Sequence, residues 1–191
     1  MSQHLSEQEI FRRKSLEELL SMGINPYPAD LYPVNCYSEQ IHAGFDANPD
    51  AFKEVVVAGR IMSRRIMGNA SFAELQDAQG RIQLYFKRDE ICPGEDKTLY
   101  NTVFKKLLDI GDIIGVKGFV FTTQTGEISI HATSFKVLSK ALRPLPVVKE
   151  TKDEQGNVHL HDAFTDPEQR YRMRYVDLVV NPHVRDAFTK R

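Results

Sequence analysis

Cysteine is nearly missing from this sequence. Cys36 and Cys92 stand alone and far apart, with no CxxC pair. That excludes a disulfide framework, supplies no zinc-finger spacing and fits a reducing compartment. Long apolar runs are missing as well. No span approaches transmembrane length, and the polar N-terminus does not resemble a signal peptide. A cytoplasmic protein with no membrane partner is expected. Net charge is missing too, since 25 Lys and Arg oppose 26 Asp and Glu for a formal charge of −1. No bulk field draws the chain to DNA or to a lipid surface. Affinity for nucleic acid would have to come from a local basic patch. Finally, there is no P-loop, no dinucleotide glycine motif and no Ser-His-Asp set.

What is present is an ordinary globular composition, 41% hydrophobic and 27% charged over 191 residues. That is enough for one good core with appendages. Ser6, with Glu9 three residues on, reads as a capping box opening a helix through Phe11, Leu16, Leu19 and Leu20. Gly23 is placed as its C′ residue, and Pro26 and Pro28 forbid continuation. Arg12, Arg13 and Lys14 form a basic cluster on that helix, either a solvated face or a phosphate contact. An extended, proline-pinned stretch follows, and Ser38 is expected to cap a short helix through Phe45.

From residue 54 the pattern changes to strands. Expected are strands over roughly 54–66, 70–77 and 81–87, with turns at Gly68-Asn69 and Asp77-Ala78-Gln79-Gly80. Glycine at 80 would admit a positive φ. Leu99, Tyr100, Val103, Phe104, Leu107 and Leu108 then recur at helical spacing, predicting a helix over about 96–108. Two more strands follow, 112–122 and 127–138. Three strands, a helix and two strands is the order of the OB-fold, a five-stranded, partly open Greek-key barrel that binds oligonucleotides or oligosaccharides. The fold class is therefore mainly β. The expected division is 1–53 as an N-terminal helical extension, 54–140 as the barrel, 141–165 as a linker with a hairpin around Gln155-Gly156-Asn157, and 166–191 as the start of a further domain. Asp166-Pro167-Glu168 should open one helix running through Leu178, and Asn181-Pro182 another that reaches Arg191 without a stop signal. A chain ending mid-helix is expected to be part of something longer.

One side chain stands out. Alternation in 71–76 sends Ala73 and Leu75 to the core, so Phe72 shares the outer face with Glu74 and Gln76. An aromatic there either stacks bases or is covered by a loop or a neighbouring domain.

The chain resembles the N-terminal part of bacterial-type class II lysyl-tRNA synthetases. The resemblance is carried by Gly23-Ile24-Asn25-Pro26-Tyr27-Pro28, Val57-Ala58-Gly59-Arg60-Ile61-Met62, Arg64-Arg65-Ile66-Met67-Gly68, Ala70-Ser71-Phe72, Gly80-Arg81-Ile82-Gln83-Leu84-Tyr85, Gly126-Glu127-Ile128-Ser129, Lys140-Ala141-Leu142-Arg143-Pro144-Leu145-Pro146 and the run Arg170–Leu178. These thread nearly the whole chain in order. The resemblance implies a barrel that grips a tRNA anticodon, and a cytoplasmic homodimer whose separate catalytic domain joins lysine to its tRNA using ATP and magnesium. The ATP- and lysine-binding motifs are not in these residues, so this chain alone is expected to be inactive, with no catalytic residue, cofactor or metal of its own. The segments 89–98 and 147–162 look longer than in many relatives.

The resemblance also implies RNA contacts at Arg64, Phe72, Gln83 and Glu127. Strict alternation puts all four on the polar face of the barrel, together with Arg60 and Met62. Phe72 would stack a base, Glu127 would accept the imino N3–H of a uracil, Arg64 would donate to a carbonyl, and Gln83 could do either. Glu127 could equally be an exposed turn acid paired with a nearby cation. His159 and His161 lack a third ligand nearby and read as a polar hairpin. Arg170, Arg172 and Arg174 either approach a catalytic site or form a charged packing face. The competing readings are an aspartyl- or asparaginyl-type synthetase, a general single-strand binder, and a barrel that serves only for dimerisation.

Overall fold

A computed structural model describes residues 5–146, 149–152, 158–161 and 164–191. The chain divides into two compact units, Met1–Pro144 and Leu145–Arg191.

In the first unit, helix α1 (Glu7–Ser21) starts where the capping box requires. Glu9 N–H donates to Ser6 Oγ at 3.3 Å, and Ser6 N–H donates back to Glu9 Oε2 at 2.9 Å. Gly23, at φ 73°, ends it. The chain then runs against the barrel. Tyr27 Oη donates to the Lys140 carbonyl at 2.8 Å. The ring of Tyr32 sits where a Cβ on Gly115 would stand, at 2.3 Å, so only glycine admits it. Asn35 adds to the sheet edge, its main chain and amide bonding Val56 and Glu54.

Helix α2 (Ser38–Gly44) is capped differently from expectation. Ser38 is its first helical residue. The cap comes from Asp77 in the β2–β3 turn, which accepts from Ser38 N at 2.6 Å and Ser38 Oγ at 2.8 Å. The same carboxylate accepts from Gln79 N and Gly80 N, so one buried acid shapes the turn and starts the helix. Gly80 does not adopt a positive φ. Its missing side chain leaves room for Ser38 Oγ, 3.0 Å from where a Cβ would be.

Five strands close a barrel in the order β1-β2-β3-β5-β4: β1 (Val55–Met67), β2 (Ala70–Gln76), β3 (Arg81–Lys87), β4 (Ile113–Thr122) and β5 (Ile128–Ser139). This is the OB-fold order. The first half of β1 pairs with β4 and the second half with β2, which closes the ring. A short helix, α3 (Arg88–Ile91), occupies the start of a stretch that reads as loop in the sequence. Helix α4 (Leu99–Leu107) is underwound, with Leu108 N–H reaching the Val103 carbonyl at 3.0 Å. Its apolar face supplies Phe104, whose ring packs 4.3 Å from Phe86 and 5.7 Å from Phe135. Val57, Ile61, Leu75, Leu84, Ile114, Val116 and Ile130 fill the rest of the core.

A buried charge cluster joins the start of β4 to the end of β5. Lys140 Nζ, fully buried, donates to Asp112 Oδ2 at 2.8 Å and to Asp109 Oδ2 at 2.5 Å. Asp112 also accepts from the N–H groups of Ala141 and Asp109. Burial pushes its carboxyl above the ordinary range, and Lys140 pulls against that. Arg12 lies beside the cluster, 7% exposed, donating to the carbonyls of Ile110 and Ala141 at 2.9 and 3.0 Å. This basic residue therefore anchors α1 and is not a phosphate contact.

In the second unit, strands β6 (Lys149–Lys152) and β7 (Val158–His161) pair antiparallel. The turn at Gln155-Gly156-Asn157 and the side chains of His159 and His161 lie outside the described residues. The helix expected through Leu178 breaks at Met173 (φ −117°, ψ 55°) into α5 (Pro167–Arg172) and α6 (Arg174–Val180). The break gathers donors on buried Asp177: Arg170 at 3.0 Å, Arg174 at 2.8 Å and Asn181 at 2.7 Å. Arg170 and Arg174 thus serve packing, while Arg172 pairs with exposed Glu168. Helix α7 (Pro182–Thr189) follows.

Removing one member of a buried ion pair strands the other. Asp112→Ala is expected to destabilise the first unit by about 3 kcal/mol, the low end of the usual range because Asp109 still holds Lys140. Urea denaturation followed by circular dichroism measures it, and an unchanged midpoint would show that the cluster contributes nothing.

Candidate nucleic-acid interface

The outer face of the sheet carries two lateral rows of side chains, each crossing all five strands in register. Cα partners run Arg65–Phe72–Tyr85–His131–Phe119 in one row and Ser63–Glu74–Gln83–Ser129–Phe121 in the other. Directly opposed residues share a face. The first row is therefore a cation followed by aromatic rings. The second is chiefly hydroxyl, carboxylate and amide. A groove of about 220 Å³ opens over their β1–β3 end, lined by Ser63, Arg65, Phe72, Glu74, Gln83 and Glu127 among others.

Each expected site residue can now be placed. Phe72 is half-buried, its ring 5.1 Å from that of Tyr85 at a 48° tilt. It leans on its neighbour in the row and lines the groove. Gln83 donates from Nε2 to Ser129 Oγ at 2.8 Å, which orients its amide. Glu127 closes the Thr123–Glu127 turn, its N–H donating to Thr123 Oγ1 at 3.0 Å, and Gly126 at φ 84° makes that turn possible. The Glu127 side chain is exposed, and among the described residues no cation pairs with it. Nearby Glu74 differs: Arg81 Nη1 sits 3.1 Å from its carboxylate and neutralises it.

Two arginines need correction. Arg64 does not lie on the groove face. Between Ile61 and Ser63 the register of β1 slips against β2, Ile61 facing Leu75 and Ser63 facing Glu74. Met62 is the extra residue of this bulge and is 6% exposed, although strict alternation would put it outside. After the bulge the faces exchange. Arg64 stands opposite core residue Ala73, donates from Nη1 to the Phe104 carbonyl and rests 5.8 Å from the Phe104 ring. Burial lowers its pKa, with Asp109 and Asp112 working the other way. Arg65 takes the groove position, opposite Phe72 and exposed. Arg60 does face outward, opposite Gln76, but its Nη1 donates to the Gly111 carbonyl at 2.6 Å and it does not line the groove. Burial depresses its pKa as well.

The missed residues carry only a faint signal. Adjacent Arg64 and Arg65 cannot both point outward on a strand, so one of the two had to face the interior. Nothing in the one-dimensional pattern says which. The pairing of β3 with β5, parallel and 46 residues apart at Gln83–Ser129, is what brings His131 and the β4 aromatics into the row.

The face can do specific things. It offers a stacking surface, one unpaired carboxylate, one oriented amide, one exposed guanidinium and the hydroxyl of Ser63. That set suits unstacked bases read on their edges. It does not suit tight backbone capture, since its charges nearly cancel. Among the described residues no cluster of three or more His, Cys, Asp or Glu side chains could hold a metal.

Known proteins agree with this fold. The tRNA_anti-codon family, described as an OB-fold nucleic acid binding domain, matches residues 55–138. A lysine–tRNA ligase of Porphyromonas gingivalis strain W83 is 63% identical over 188 residues, 98% of this chain and 32% of that protein. One from Azobacteroides pseudotrichonymphae is 63% identical over 98% of this chain and 36% of its own length. One from Christiangramia forsetii is 58% identical over 99% and 32%. The chain spans about a third of the length of the curated relatives it matches. Residues 55–138 belong to the anticodon-type OB-fold nucleic acid binding domains, and the chain as a whole is homologous to lysine–tRNA ligases across that third of their length.

Proposed function

We propose that this chain is the anticodon-reading part of a lysine–tRNA ligase. The observation that carries the reading is the groove itself, where Phe72, Gln83, Arg65 and Glu127 converge from β2, β3, β1 and the β4–β5 turn. Phe72 would stack one base. A lysine anticodon is rich in uridine, and uracil presents an N3–H donor between two carbonyl acceptors. The exposed carboxylate of Glu127 is acceptor-only and would take the N3–H. Arg65 and the remaining N–H of the Gln83 amide would donate to the carbonyls. A carboxylate repels phosphate, so its place in an RNA groove makes sense only as a reader of bases. The relatives' shared name, lysine–tRNA ligase, favours the lysine anticodon over the aspartate and asparagine ones. In the same reading the whole protein joins lysine to its tRNA with ATP and magnesium, acts as a homodimer and is cytoplasmic. ATP and magnesium would activate the amino acid, and no residue of this chain is assigned to that step.

A titration of the chain with a lysine anticodon stem-loop tests the reading. Phe72→Ala is expected to weaken binding by roughly 1–3 kcal/mol with little change in melting temperature. Arg65→Ala should also weaken binding at unchanged stability, while Arg64→Ala should lower the melting temperature. Loss of binding on Arg64→Ala with a normal melting temperature, and none on Arg65→Ala, would reverse the bulge assignment. A wild-type chain that binds unrelated stem-loops equally well would make it a general single-strand binder.

Discrimination has its own test. Glu127→Gln keeps the shape but can present either a carbonyl or an amino group, so uridine and cytidine should become closer in affinity at the central position. The basis is that a site built around one hydrogen bond rejects the base that leaves it unpaired. Stem-loops differing only at that position measure it, and a preference that survives the substitution removes Glu127 as the reader.

Salt dependence follows from the charge placement. Arg12, Arg60 and Arg64 are committed to main-chain carbonyls. Among the described residues, Arg65 and Arg81 are the cations lining the groove that remain to displace counterions. The slope of log affinity against log salt should lie between roughly −0.7 and −1.4, one or two phosphates on a single strand. A slope several times steeper would mean that a basic surface elsewhere carries the binding.

A further inference from the structure

The aromatic row does not stop at Phe72. Tyr85 and His131 meet edge to face with centroids 4.9 Å apart, and the His131 ring stacks on Phe119 at 4.7 Å and 29°. Phe121 adds a contact to each of Tyr85 and His131, at 5.9 and 5.5 Å. On the other side the Glu90 carboxylate of α3 lies 2.5 Å from His131 Nε2. The interior rings are thus held in place by one another. At the far end Phe119 is 37% exposed. It lines a second groove, of about 520 Å³, together with Lys117, Lys53, Thr133 and Ser134. Lys117 and Phe119 share one face of β4, two residues apart, and Ser134 stands opposite Lys117. A flat apolar ring, an exposed ammonium beside it and neighbouring hydroxyls are what one nucleotide asks for: base stacking, phosphate neutralisation and sugar or phosphate hydrogen bonds.

We propose that Phe119 is a second base platform, taking a purine nucleotide of the same single strand that crosses Phe72, with Lys117 at its phosphate. The proposal rests on the interface reading above and extends it to the other end of the row. Phe72 and Phe119 are separated by three strand spacings, about 14 Å. That is roughly four times the rise between stacked nucleotides, so the occupant is a separate nucleotide flanking the bases read in the first groove and not their stacked neighbour. A purine is specified because its larger π-face gains most from an edge-exposed ring with no hydrogen-bonding pocket around it. The Glu127 and Gln83 groups that would select a base are at the other groove, so this platform adds affinity without reading sequence closely.

The experiment uses the chain with short oligouridylates carrying a single adenosine, moved stepwise from one end to the other, each compared with the same oligomer holding an abasic site there. In the wild type two separate positions are expected to tighten binding by roughly five- to 150-fold over their abasic counterparts, one over Phe72 and one over Phe119. Phe119→Ala should erase the second of these gains and weaken the unsubstituted oligouridylate less than the adenosine oligomer, and Phe119→Trp should keep it. Adenosine and abasic oligomers of equal affinity at every position would overturn the platform, and this comparison needs no variant. So would finding that every gain seen in the wild type survives Phe119→Ala. If Phe72→Ala weakens all the oligomers while Phe119→Ala changes none, the platform falls and the interface reading stands. If neither substitution matters, the interface reading falls with it.

Discussion

In β1, Ile61 and Met62 together cover the step that β2 makes from Leu75 to Glu74. That single extra residue exchanges the faces of everything after it, because side chains alternate with a period of two. Met62 turns into the protein, Ser63 and Arg65 meet the groove, and Arg64 is delivered to the underside of α4. The two lateral rows exist only in this register. With a regular strand, Arg64 would stand beside Phe72, and Arg65, opposite buried Ser71, would have to be accommodated against the core. The bulge therefore connects the core to the interface: Arg64 caps a carbonyl of the core helix so that its neighbour is free for a ligand.

The same division of labour recurs among the other buried polar groups. Arg12 holds α1 by carbonyls of Ile110 and Ala141, Lys140 holds Asp109 and Asp112, and Asp77 holds α2. Each is a charged residue whose partners are far away in sequence, and each fixes an appendage to the barrel. A buried charge of this kind costs its desolvation and is kept by several hydrogen bonds at once. The consequence for the interface is indirect but definite. Residues 109–112 and 140–141 bracket β4 and β5, so the strands that present Phe119, Phe121 and His131 are tied down at their far ends.

The barrel was readable because its signals are local. The Ser6–Glu9 box, Gly23 and the alternation in 81–87 each act within a few residues and each appears where expected. Phe72 and Gln83 were readable for the same reason, their strands being regular. Arg64 was misassigned because a bulge leaves no mark on composition or periodicity and is fixed by pairing with a strand that comes later. Ser38 was misassigned because its capping partner, Asp77, is 39 residues away. The helix over 166–178 was read as continuous because Asp177's pull on Arg170, Arg174 and Asn181 is tertiary. His131 and Phe119 escaped notice because each looks like any residue on the outer face of a strand, and only the parallel β3–β5 pairing aligns them with Phe72.

The chemistry of the face also explains why a nearly neutral chain can recognise a polyanion. Of the carboxylates in the groove, Glu74 is neutralised by Arg81, and Glu127 is left open. Of the described arginines nearby, Arg65 is the exposed one beside the aromatic row, with no main-chain carbonyl holding it. A surface built this way gains little from the phosphates and much from the bases. Its affinity then depends on rings that are already packed on one another, which lose little freedom when a base arrives. In the proposed reading, discrimination depends on one acceptor, Glu127, that a wrong base leaves unsatisfied. Stacking and edge recognition are thus handled by different rows of the same sheet, with the aromatic row able to lengthen across the strands while the polar row stays confined to the first groove.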